Sequence, residues 1–219
     1  MEKILKKYFL LYFCLVILIL YEKVNARPIS YPGGWTIMQM NDFKRHSIHI
    51  HLTPSINYSL GYRGEYWRKK KWQSHNVQLN YLIKRYNFDK SQANIYFKNG
   101  VGSAISSFEK FDNKTVPNFF SGISVDWEDR RFFTSYENKI NFNPIINSFF
   151  LQKARIGLAP YIGRYGELHT WLMFQVEHMP QDKNKLVYTP MLRMFKGDYL
   201  VEAGLSIERQ FMFNFINRF

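Results

Sequence analysis

From Trp35 onward, apolar and polar residues alternate at period two in short segments separated by turn residues, and no helical period is sustained. The clearest case sets Ile56, Tyr58, Leu60 and Tyr62 on one side against Asn57, Ser59, Gly61 and Arg63 on the other. Before it come Tyr31 to Met40 and His46 to Leu52, with a Thr53-Pro54-Ser55 turn after the second. After it come segments led by Val77, Leu79, Tyr81 and Ile83, by Ala93, Ile95 and Phe97, by Ile123, Val125 and Trp127, and by Phe132, Thr134 and Tyr136. The series continues with Ala154 to Leu158, Leu172 to Glu177, Leu186 to Phe195 and Tyr199 to Leu205, and ends on Phe211 to Phe219. Such alternation is how a strand with one apolar and one wet face reads, so the expectation is an all-β chain of twelve strands. Ten is the alternative count if the first and eighth, the least regular, are not strands.

The links support this count independently. The second, fourth, sixth and tenth are short. The third, fifth, seventh and ninth are longer, with Gly102 to Asn118 the longest and Asn138 to Ser148 another long one, and Pro160 to Gly166 is intermediate. Alternating short and long links place both termini at the same end of a closed antiparallel barrel, with the short turns on the periplasmic side.

Residues 1–26 read as a secretory signal: Lys3, Lys6 and Lys7, an apolar run from Phe9 to Leu20, and Val24-Asn25-Ala26 ahead of a cleavage after Ala26. The expected organisation is then a signal over 1–26 and one barrel domain over 27–219. The single cysteine, Cys14, leaves with the signal, so the remaining chain has neither disulfide nor thiol chemistry. An exported chain without disulfides points to a bacterial envelope. The four lysines and two glutamates of the signal take the formal charge from +13 to +11. Export excludes nucleic acid as the target of that charge, leaving anionic lipid headgroups, lipopolysaccharide and small anionic solutes as partners.

The last nine residues carry a further signal. Phe211, Phe213, Phe215 and Phe219 share a face, Asn214 and Arg218 take the other, and the chain stops on an aromatic residue. This resembles the closing strand of Gram-negative outer-membrane β-barrel proteins, and the resemblance implies recognition of those phenylalanines by the barrel-assembly machinery. In size and charge the chain also looks like the small twelve-stranded porins for acidic oligosaccharides, although no motif ties it to them.

For chemistry, the wet faces hold Arg63, Lys84, Lys98, Lys153, Arg155, Arg193 and Arg218 together with Glu65, Asp126, Glu128, Glu177 and Glu202. These are either ion pairs filling a narrow lumen or the lining of an anion-preferring pore. Met38 and Met40 precede His49 and His51, each pair at i, i+2, and a hairpin would set them side by side as a thioether and imidazole set suited to copper. Barrel enzymes would need a nucleophile and base such as His46 with Ser47, or His169 with Glu167 and Thr170, but neither spacing is specific and a non-enzyme is expected. Trp67, Trp72, Tyr62, Tyr66 and Tyr81 lie near strand ends, where amphipathic rings favour the membrane interface, and Arg68 to Lys71 form a basic loop tip.

Overall fold

The computed structural model describes residues 32–107, 113–164 and 166–219; the expected signal, residues 1–26, lies outside them. Twelve antiparallel strands are described: β1 (Trp35–Asn41), β2 (Arg45–Ser55), β3 (Tyr58–Trp67), β4 (Trp72–Asn87), β5 (Ser91–Ser106), β6 (Thr115–Asp129), β7 (Phe132–Phe142), β8 (Phe149–Leu158), β9 (His169–His178), β10 (Leu186–Lys196), β11 (Tyr199–Leu205) and β12 (Phe211–Arg218). Each pairs with its neighbours in sequence, and β1 pairs with β12, closing the barrel. Closure removes the unpaired edge that a sheet in lipid cannot carry.

Alternation assigns the two faces. Leu60, Val77, Val101, Ile156 and Phe211 point outward and are 47, 57, 64, 61 and 63 % exposed. Ser59, Arg63, Glu65, Asn76, Gln78, Asn118 and Asn141 point inward and are buried. An apolar outside around a polar inside inverts the arrangement of a water-soluble protein and suits lipid. Tyr58, Tyr62, Tyr66 and Tyr81 are exposed on the outer surface.

Several boundaries differ from the sequence expectation. The strands β5 and β6 run well into the supposed longest link, which contracts to residues 107–114, because Gly102, Ser103 and Ala104 are too small and mixed to show alternation while still pairing with β4 and β6. The expected link Asn138 to Ser148 shrinks likewise to residues 143–148, and β7 carries Lys139 and Asn141 inward. Thr53 to Ser55 belongs to β2 and not to a turn, and Ile56 with Asn57 makes the turn instead. At the terminus end the other links span two or three residues, but residues 159–168 form the longest link in the chain. Gly197 opens the two-residue β10–β11 turn with φ +60°, a conformation costly for a residue with a Cβ.

The two tryptophans depart furthest from expectation. Trp67 and Trp72 face the lumen at the end away from the termini, 2 and 0 % exposed, with ring centroids 5.6 Å apart and stacked. Phe149 packs on Trp67 at 4.7 Å, and Ala104, Val116, Leu151 and Met179 complete the cluster. Phe120 fills space beside it that Gly100 leaves open. The outer half of the lumen is therefore packed on the β3 to β8 side.

Candidate functional site

The lumen contains one large cavity of about 870 Å³. It begins at the terminus end, where Leu82, Asp129, Ile162 and Phe195 line it, and climbs along β1, β2 and β12 to Asp42 and Arg45. Nine Arg and Lys and six Asp and Glu line it. The wall is thus cationic by three charges before any pairing is considered.

Many of these charges are paired with one another or with charges behind the wall, because an unpaired ion in a narrow lumen is costly. Glu65, whose side chain is wholly buried, accepts from Arg63 Nε at 3.0 Å and from Lys139 Nζ at 2.6 Å, linking β3 to β7 across the lumen. Lys139 sits over Phe120 and Phe149 at 4.7 and 5.7 Å, and Arg63 over Phe120 at 5.1 Å. Glu202 on β11 accepts from Arg193 Nε at 2.7 Å and from Asn214 Nδ2 at 2.7 Å, and lies 3.4 Å from Arg155 Nη1. Arg155 also donates to Gln175 at 2.8 Å. Lys98 pairs with Glu137 at 2.7 Å. One carboxylate, Glu202, therefore serves two guanidiniums, and the imbalance of the wall is left on the cation side.

Four cations of the wall have no carboxylate partner among the described residues, one of them Arg130, which donates to a backbone carbonyl. Lys153 lies between its cross-strand neighbours Glu137 and Glu177, but Lys98 engages the first while Lys44 and Arg45 engage the second. Arg218 lines the cavity opposite Thr36, and only its backbone N–H is bonded, to Asp198. Arg85 donates to Asn94 at 2.8 Å and reaches a carboxylate only through that amide, which donates to Asp126 at 2.7 Å.

Of the residues expected on the wet face, Arg63, Lys98, Lys153, Arg155, Arg193 and Arg218 line the cavity and Lys84 does not. A register shift in β4 between Leu82 and Lys84 moves Lys84 to an exposed position over the Tyr86 ring and turns Arg85 inward in its place. A bulge of this kind interrupts the period of two, so the alternation of a single strand misassigns every residue beyond it. Lys44, Arg45, Lys139 and Asp182 are further charged groups that sequence reasoning missed, since all lie where strands were read as links or within links themselves.

The hairpin of β1 and β2 sets Met38 opposite His49, whereas Met40 faces Ser47 and His51 faces Thr36. Only one thioether and imidazole pair is directly opposed. Arg63 faces His49 from β3, which puts a fixed positive charge beside any cation held there. Among the described residues no group of three or more His, Cys, Asp and Glu gathers at a metal-binding spacing. The groups considered for catalysis bond other partners. His46 faces outward and bonds Asn41 at 2.8 Å, while Ser47 faces inward and donates to the Met40 carbonyl. His169 contacts the Arg164 carbonyl at 3.2 Å, Glu167 accepts from the Arg164 N–H at 2.7 Å, and Thr170 bonds Tyr161.

The inner mouth is narrowed by the long link. Arg130 donates to the Gly163 carbonyl at 3.1 Å, which holds Ile162 and Gly163 against the cavity, and Tyr161 donates to the Leu168 carbonyl at 2.6 Å. At the carboxy-terminus, Phe211, Phe213 and Phe215 lie on the outer face of β12. Phe219 closes the seam by exchanging backbone hydrogen bonds with Trp35 at 2.6 and 3.0 Å.

Closed antiparallel strands, an apolar exterior and a charged interior define this chain as an outer-membrane β-barrel of the bacterial type. Solved structures agree. The fold is similar to that of KdgM porin, with a TM-score of 0.52, 10 % identity, and coverage of 85 % of this chain and 98 % of that one. It is similar also to KdgM porin in complex with disordered oligogalacturonate, with a TM-score of 0.50, 9 % identity and the same coverage. The translocator domain of the autotransporter NalP from Neisseria meningitidis overlaps at a TM-score of 0.42 and 7 % identity, covering 84 % of this chain and 85 % of that one. No family model and no curated protein matches the chain.

Proposed function

We propose that the barrel is a small porin-like channel that prefers anions, with carboxylate-bearing solutes as its substrate class. The observation that carries this reading is the wall of the 870 Å³ cavity, where nine cations outnumber six acids and Lys153, Arg218, Arg85 and Arg130 are left without a carboxylate partner among the described residues. Cations that are held in place but not neutralised form a path of positive potential along which an anion exchanges one partner for the next. The KdgM porin of the same fold binds oligogalacturonate, an acidic oligosaccharide, and the charge of this lumen suits that chemistry. Transport in this reading is passive: no side chain is asked to make or break a covalent bond, and no cofactor takes part. Lipopolysaccharide and the barrel-assembly machinery are the partners that membrane residence and the terminal phenylalanines call for.

The test is conductance of the refolded protein in a planar bilayer, with selectivity taken from the reversal potential in a salt gradient. Anion-selective steps are expected, blocked or slowed by oligogalacturonate. The double variant Lys153→Gln and Arg218→Gln removes two of the three excess charges, so its selectivity is expected to fall close to none. Cation selectivity, or silence in every condition, would sink the channel reading.

A further inference from the structure

The outer mouth carries a charged cluster of which only Arg45 is among the cations of the cavity wall. Lys44 on the β1–β2 link and Lys70 on the β3–β4 link both reach Asp182 on the β9–β10 link, at 3.0 and 3.5 Å. Beneath them Glu177 takes Lys44 at 3.1 Å and Arg45 at 3.5 Å. Arg45 and Lys70 lie over the Trp67 ring at 5.3 and 5.8 Å, so the cluster rests on the aromatic packing of the outer half. Arg45 lines the top of the cavity, and the cluster is its roof.

Its members differ in how firmly they are held. Glu177 is fixed on a strand and its side chain is 6 % exposed; Lys44 and Arg45 are 8 and 7 % exposed. Asp182 stands on a link and keeps 20 % exposure, and Lys70 keeps 31 %. Arg45 Nη1 is buried with no hydrogen-bond partner, so the cluster holds one more donor than its own carboxylates satisfy. Ion pairs that remain partly exposed are weak and exchange readily, which makes Asp182 the replaceable member.

We propose that the outer mouth is a carboxylate-binding site that the chain's own Asp182 occupies, so that this side chain ties three links together over the cavity and an incoming multivalent anion releases them by taking its place. The opening rests on the channel reading above; the anion site does not. Because one carboxylate bridges Lys44 and Lys70, a single substitution removes both of these ion pairs to the β9–β10 link, while Lys44 keeps Glu177 and the β3–β4 link keeps its backbone bond to Lys44 through Arg68.

Citrate is the probe. Calorimetry on the refolded full chain is expected to show Asp182→Asn binding citrate about fivefold tighter than the native chain, the size expected when one partly exposed competing ion pair is removed. The double variant Lys44→Gln and Lys70→Gln is expected to lose citrate binding, with the heat-dependent gel mobility shift confirming that it is folded. In bilayers the native chain is expected to conduct more with citrate on the outer side, and Asp182→Asn to conduct at that raised level without it. Equal citrate affinity in the native chain and Asp182→Asn would overturn the proposal whatever the conductance. Tighter binding in Asp182→Asn with silent pores throughout would support the site and overturn the channel. A difference between the two chains confined to bilayers containing lipopolysaccharide would assign the site to lipid phosphate and overturn its assignment to a soluble anion.

Discussion

Replacing Glu65 by Gln removes one charge from the middle of a buried triad while keeping nearly the same shape. Its carboxylate is fully buried and takes both Arg63 and Lys139, whose side chains are 9 and 4 % exposed. Breaking a buried pair costs about 3–5 kcal/mol because the partner charge is left without compensation, and here two partners are stranded at once. The contacts of Lys139 with Phe120 and Phe149 offset a little of this, about 1 kcal/mol or less each. A loss of about 3–5 kcal/mol is therefore expected. The pair Lys98 and Glu137 is an internal control: at 27 and 31 % exposure it is worth about 1 kcal/mol or less, so Glu137→Gln should cost much less. The assay is urea unfolding of protein refolded into lipid vesicles, followed by tryptophan emission and by gel mobility. The double variant Glu65→Gln and Lys139→Met removes one stranded charge and should recover a substantial part of the loss. If Glu65→Gln costs no more than Glu137→Gln, the triad does not hold β3 to β7 and the reasoning fails.

Two further outcomes are expected. Arg85→Gln should reduce anion preference in bilayers whereas Lys84→Gln should leave it unchanged, because the register shift in β4 turns the first inward and the second outward; equal effects would remove the bulge. Deleting Phe219 removes two backbone hydrogen bonds at the β1–β12 seam, each worth about 1 kcal/mol, and should lower the folded yield in vesicles, with the missing fraction recovered as the unshifted gel band.

Much of the lumen was legible one strand at a time. Arg63, Glu65 and Trp67 share a parity, as do Trp72, Ser74, Asn76 and Gln78, so the period that placed the charges inside also places both tryptophans there. The expectation of interfacial tryptophans followed residue type where parity was the better guide. Parity failed in β4, where the bulge exchanges Lys84 for Arg85. It was also unreadable around Gly102 and Ala104, where small residues blur the contrast between faces.

The sequence alone determined the class of this protein: alternation at period two is a property of a single strand, so it is written in neighbouring residues and specifies a sheet apolar on one face and charged on the other. Twelve such segments can leave no unpaired edge in lipid only by closing. What the tertiary structure decided is which charge meets which. Glu65 and Lys139 are 74 residues apart, and Arg45 and Glu177 132 residues apart. Their meeting depends on stagger accumulated around the whole cylinder and on the reach of links across its mouth, neither of which any local pattern encodes.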